Sequence, residues 1–155
     1  MPIVIQNTKD KILVGRDDLE NLKLLAKKDP QLRARICLHK NKEELVQEMI
    51  IAFCKGSYVQ PHRHVDKSES YHIMEGELDI IFFDKNGSEK SKIQLSANRE
   101  DLPTLFRISS SEWHTVVPKT DYVIIHEVTK GPFNKNSSDY ASWAPAEKSG
   151  NFFNI

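Results

Sequence analysis

The stretch PHRHVDKSESYHIMEG, Pro61 to Gly76, holds His62 and His64 two positions apart, with Glu69 five positions further on. Two neutral imidazoles and a carboxylate suit a divalent first-row metal ion. A set of this kind needs one more donor to hold the ion well, and His114, in the later stretch WHTVV, is the candidate. If these segments are strands, successive side chains alternate between faces. Tyr58, Gln60, His62 and His64 then share one face, with Arg63 on the other. After a turn at Asp66-Lys67-Ser68, an antiparallel strand would bring Glu69, Tyr71 and Ile73 to the same interior. The expectation is a pocket with His62, His64, Glu69 and His114 as metal ligands and with Tyr58, Gln60 and Tyr71 in its lining. Tyr58, Tyr71 or a bound water would move protons there. His72 has the opposite parity to Glu69 and should face away. His39 is a weaker candidate, and the direction of His126 is undetermined because its neighbours are apolar on both parities. No second carboxylate falls at an obvious pocket position, which favours metal-centred chemistry or simple binding over ordinary acid-base catalysis.

The elements that must position these groups can be read from periodicity and turn chemistry. A short apolar run, Ile3 to Ile5, precedes a helix start at Asp17-Asp18-Leu19-Glu20, with Asp17 as the expected N-cap. Leu19, Leu22, Leu25 and Ala26 form one helical stripe, and Pro30 marks its end. The class of Gln31 to Leu38 is open. From Val46 the texture is that of short strands, with turn signals at Glu75-Gly76, Asn86-Gly87, Asn98 and Pro118-Lys119. Asn86-Gly87 after IIFFD is the clearest hairpin signal. The pattern is mainly β, an all-β sandwich or small barrel. Residues 1–45 read as an N-terminal helical extension, 46–130 as the barrel and 131–155 as a C-terminal extension. Phe133, Tyr140, Trp143, Phe152 and Phe153 make that extension too aromatic for a solvated tail, so part of it should pack on the barrel or on a partner subunit.

Bulk properties narrow the function classes. A chain of 155 residues is long enough for one domain with a real core. Its 22 basic residues balance 22 acidic ones, so no charge footprint points to nucleic acid or an anionic membrane. No run approaches the ~20 apolar residues of a membrane span, and the N-terminus has no signal-peptide pattern, so a cytoplasmic protein is expected. Cys37 and Cys54 form no CxxC pair and read as two reduced, packed thiols. Trp113 opposes His114 in parity and reads as core, Arg107 as a solvated strand face, and Lys23, Lys27 and Lys28 as the wet face of the helix.

The spacing Gly56, five residues, His62-x-His64, four residues, Glu69, six residues, Gly76 resembles the first cupin motif at every fixed position. The second cupin motif keeps its histidine as His114, while its glycine, proline and asparagine positions hold Pro103, Ser109, Ser111 and Pro118. More narrowly, RARICLH, GSYVQPHRH, IIFFDKNG, EWHTVV, HEVTKGPF and WAPAE are similar to a WbuC-type cupin, and together they span most of Arg33 to Glu147. The resemblance implies a single jelly-roll-like double-stranded β-barrel with one divalent ion (zinc, iron, nickel and manganese not being distinguishable) on His62, His64, Glu69 and His114. It also implies a setting beside the genes of O-antigen and capsule sugars. The expected function is therefore a metal-dependent enzyme acting on a small molecule, such as a sugar or nucleotide-sugar, in an isomerase- or epimerase-like reaction. A non-catalytic metal-dependent sugar-binding module and an Fe(II) dioxygenase are the alternatives. Cupins often pair through barrel edges, so a homodimer is expected.

Overall fold

The structure, a computed structural model, describes residues 3–147. Two antiparallel sheets face each other across one core, as expected for a mainly β jelly roll. The six-stranded sheet runs in the order β1 (Ile3–Gln6), β2 (Arg33–Cys37), β3 (Val46–Cys54), β10 (Tyr122–Lys130), β5 (Glu69–Glu75) and β8 (Leu105–Ile108). The five-stranded sheet runs β11 (Ser138–Tyr140), β4 (His62–His64), β9 (Trp113–Pro118), β6 (Glu77–Phe83) and β7 (Glu89–Ser96). Among the described residues only the β1–β2 pair is parallel.

Helix α1 (Arg16–Lys28) lies on the outer face of the larger sheet. Leu22 and Ala26 are fully buried there against Ala34, Ile36, Ile50, Ala52 and Ile124, and a leucine so placed stabilises by roughly 1.5–3 kcal/mol. The helix starts earlier than expected. Its N-cap is Gly15, not Asp17, and Asp18 accepts a 2.8 Å hydrogen bond from the Gly15 N–H. The carboxylate three residues into the helix does the capping that a side chain at the cap position normally shares. The end falls as expected, at Asp29 just before Pro30.

The helix explains why β2, β3 and β10 hide their alternation. Their outer faces are covered by α1 and their inner faces by the opposite sheet, so both parities are buried. Met49, Ile51 and Phe53 face the core, and Ile50, Ala52 and Cys54 face the helix. The open segment Gln31 to Leu38 proves to hold β2, so residues before 46 contribute two strands of the larger sheet as well as the helix. Cys37 faces the core and Cys54 the helix, and both are free thiols.

Two turns set the register that matters. Asn86-Gly87 closes the β6–β7 hairpin, with Asp84 Oδ1 accepting from the N–H groups of Asn86 and Ser88 at 2.8 and 2.9 Å. Gly76 sends the chain from β5 in one sheet to β6 in the other. It adopts φ +80°, and a Cβ there would overlap the Tyr122 carbonyl oxygen and the Thr120 hydroxyl. The C-terminal extension packs on the barrel: β11 pairs with β4, and Trp143 lies 5.2 Å from Phe83 and 6.3 Å from Trp113, ring centre to ring centre. Phe152 and Phe153 lie outside the described residues.

Gly76→Ala should be destabilising by more than the ~1–3 kcal/mol of a strained φ alone, because backbone must also move. A fall in the midpoint of urea unfolding at unchanged slope checks this.

Candidate metal centre

The three histidines project from the smaller sheet. His62 and His64 share the inward face of β4, and His114 sits opposite His62 in register on β9. Glu69 reaches the same point from β5 in the larger sheet. The two segments are therefore not hairpin partners, as an antiparallel turn at Asp66-Lys67-Ser68 would have made them. The turn, with Asp66 at φ +55°, hands the chain from one sheet to the other, and Glu69 arrives across the barrel. One ligand atom from each of His62, His64, Glu69 and His114 lies within 4.8 Å of all the others, and all four residues are buried. His64 Nε2 stands 3.2 Å and His114 Nε2 3.4 Å from Glu69 Oε2.

The outer nitrogens of the rings are occupied, which fixes what the inner ones present. His62 Nδ1 donates to the Gln60 carbonyl at 2.9 Å and His114 Nδ1 to the Glu112 carbonyl at 2.9 Å. His64 Nδ1 lies 2.8 Å from the Ser138 hydroxyl, a group on the C-terminal extension. These partners leave Nε2 of His62 and His114 as lone pairs turned inward. His64 Nε2 is buried and makes no hydrogen bond of acceptable geometry among the described residues, the state expected of a nitrogen oriented toward an ion. The donor set, burial and ring orientation fit a divalent transition metal.

The electrostatics agree with a neutral His62 and an ionised Glu69 carboxylate. Burial, aided by His114, pulls His62 down to about 3. Burial pushes Glu69 up, but His114 and His64 outweigh it and hold the carboxyl well below its usual range. Burial alone would lower His114, yet Glu69 and the Glu112 carbonyl hold it above the ordinary value. Tyr71 donates from its hydroxyl to Glu69 Oε2 at 2.5 Å, and burial beside that carboxylate keeps the phenol protonated.

A cavity of about 80 Å³ opens beside the cluster. Tyr71 lines it as expected, but Tyr58 and Gln60 do not. Only His62–His64 is strand, so the alternation that placed these two inward does not extend back to them. Tyr58 is 42% exposed and donates to the Pro145 carbonyl, and the Gln60 side chain donates to the Ala141 carbonyl. Arg63 faces away, bonded to Asp139 at 3.0 Å and stacked 4.7 Å from the Trp113 ring centre. His72 is exposed, and His126 lies outside the cavity against Glu48.

Sequence reasoning missed the charged residues Arg33, Arg35 and Glu127 of the lining, and it gave His39, which also borders the cavity, only as a weaker candidate ligand. Glu127 overturns the expectation of no second carboxylate. On β10 the inward parity is Val123, Ile125, Glu127, Thr129, a pattern readable only once α1 is known to cover Ile124. Burial, then the neighbouring Glu69, pushes Glu127 up to about 8. The arginines face inward because β2 alternates Arg33, Arg35, Cys37 inward with Ala34, Ile36 on the helix.

Facing antiparallel sheets with a His/Glu cluster between them define a cupin-fold protein with a possible metal site. The chain belongs to the family described as "Domain of unknown function (DUF6016)", whose model matches residues 14–95, a span that includes His62, His64 and Glu69. No curated protein matches the sequence. Among solved structures, a protein of Shewanella oneidensis is similar over 68% of this chain and 72% of its own, with 11% identity and a TM-score of 0.56. The capsular polysaccharide assembling protein CapF from Staphylococcus aureus is similar over 72% of this chain but 32% of its own, with 16% identity and a TM-score of 0.59. An oxalate oxidase in complex with the substrate analogue glycolate matches 74% of this chain and 57% of its own, with 15% identity and a TM-score of 0.54. At these identities the likeness is one of fold. No helix among the described residues is long and apolar enough to cross a membrane.

Ser138→Ala removes the group that orients His64. Metal affinity, read by competition with a chromophoric chelator, should fall ~10–100-fold, with the thermal melt of the metal-free protein little changed.

Proposed function

We propose that this protein is a metal-dependent cupin enzyme that moves a proton on a small molecule, in an isomerase- or epimerase-like reaction. His62, His64, His114 and Glu69 would hold one divalent ion. That ion would supply Lewis-acid polarisation of a substrate oxygen. The observation that carries the reading is Glu127, a second carboxylate in the same cavity that is not needed as a ligand. A pure binding module has no use for a titratable group beside the ion, whereas proton transfer requires one. Tyr71 would hold Glu69 in place through its hydroxyl and stay protonated, which makes it a positioning residue.

The setting we infer is surface polysaccharide synthesis. Two things support it: the similarity of the sequence to WbuC-type cupins and the shared fold of CapF, a capsular polysaccharide assembling protein. Cavity size limits the substrate. About 80 Å³ is well below the roughly 300–1,000 Å³ of pockets that enclose drug-sized ligands. A nucleotide-sugar would have to keep its nucleotide outside, so a compact substrate, or the compact end of a larger one, fits better.

The metal-loaded protein incubated with small sugars and sugar acids in deuterated water should exchange a carbon-bound proton of its substrate. Glu127→Gln should slow that exchange ~100-fold or more, within the range of general acid-base contributions, while metal content stays unchanged. Oxygen consumption without exchange would point to an oxygenase, and neither would point to binding.

A further inference from the structure

The barrel interior of β2 holds two arginines where a core strand would ordinarily carry apolar residues. Arg33 and Arg35 are 5% and 6% exposed and sit in register with Phe53 and Ile51, both core residues. Burying a guanidinium is costly unless a partner or a ligand compensates. Arg33 has Glu147, at 2.9 Å, and Glu147 is fixed in turn by the Gln60 N–H. Arg35 has partners of its own as well; it lies on the cavity wall, 3.7 Å from the Met49 sulfur, and its guanidinium carries five N–H donors, more than one partner uses.

His39 adds a donor. The Glu48 N–H donates to its Nδ1 at 3.0 Å, which places that hydrogen where a proton on Nδ1 would clash; the Glu48 carbonyl, also 3.0 Å from Nδ1, accepts from the Leu38 N–H at 2.8 Å. Nδ1 therefore acts as the acceptor and Nε2 carries the hydrogen. That Nε2 is buried, borders the cavity and has no hydrogen-bond partner among the described residues. A buried donor left unmade costs ~1–3 kcal/mol, and an acceptor on a bound ligand would satisfy it. Charge points the same way. Arg33, Arg35 and Lys67 face Glu69 and Glu127 around the cavity, and a divalent ion on the His/Glu cluster would add two more positive charges.

We propose that the cavity binds a compact carboxylate anion, with its carboxylate on Arg35 and His39 and its other end toward the His/Glu cluster. A guanidinium matches a carboxylate in plane and spacing, in a way that an ammonium does not. Met49, Ile51 and Phe53 give the short carbon backbone an apolar wall. The volume, a few times the ~30 Å³ that a water occupies in the liquid, suits an acid of a few carbons. This inference rests on the proposed metal site for the far end of the ligand, but not for the end on Arg35.

Isothermal titration calorimetry with malonate, succinate, malonamide and inorganic phosphate tests it, on metal-loaded protein and on protein stripped by a chelator. Malonate or succinate should bind one per chain, and malonamide should not. Arg35→Gln should weaken acid binding ~10–100-fold at wild-type metal content by elemental analysis. No acid binding by protein with a full complement of metal overturns the inference and leaves the metal site standing. So does acid binding that Arg35→Gln leaves unchanged, or binding of phosphate in place of the acids. If the protein holds no metal, the metal reading fails by itself. Acid binding to that protein, weakened by Arg35→Gln, would still uphold the carboxylate subsite, and its absence would overturn it. Should Arg35→Gln fail to fold, the contrast of malonate with malonamide on the wild type decides.

Discussion

Three imidazoles and a carboxylate buried at one point between two sheets are the constraint on which the rest of this structure depends. Each of these groups loses water on folding, and a buried polar group is tolerated only where its bonds are remade. The molecule remakes them in two directions. Inward, the Nε2 atoms and the Glu69 carboxylate face one another; outward, the Gln60 and Glu112 carbonyls, the Ser138 hydroxyl and the Tyr71 hydroxyl hold each group at its angle. Because the histidines come from one sheet and Glu69 from the other, the cluster also ties the sheets together. A metal ion there would add its binding free energy to the stability of the barrel.

The C-terminal extension belongs to the same logic. It supplies Ser138 behind His64, Glu147 beside Arg33, and Trp143 over the β6–β7 turn. A segment that reads as turn-rich and aromatic is thus part of the wall and the outer shell of the site. The cavity it helps to close is small and mixed in character, with apolar residues of β3 on one side and Arg35, His39 and Glu127 on others. That mixture is the basis for proposing a compact, charged ligand in place of a neutral sugar ring.

The four convergent residues were legible in the sequence because each sits on a strand or turn with strong local signals. Alternation fixed the parity of Glu69, Tyr71 and His72, and Gly76 marked the crossing between sheets. What could not be read was the lining. Its residues lie on β2 and β10, whose two faces are both buried, so periodicity does not say which way Arg35 or Glu127 points. Tyr58 and Gln60 were misplaced for the opposite reason. Alternation was extended through a segment that is not strand, and the C-terminal extension captured both side chains. The helix cap moved from Asp17 to Gly15 because Asp18 can satisfy the first N–H without a side chain at the cap.

The central claim is the metal centre, and elemental analysis of the purified protein, without added metal, tests it most directly beside the double variant His62→Ala, His64→Ala. The account predicts about one equivalent of a divalent transition metal in the wild type and almost none in the variant, since two of the four donors are gone. A folded double variant that keeps the wild-type metal content would contradict it.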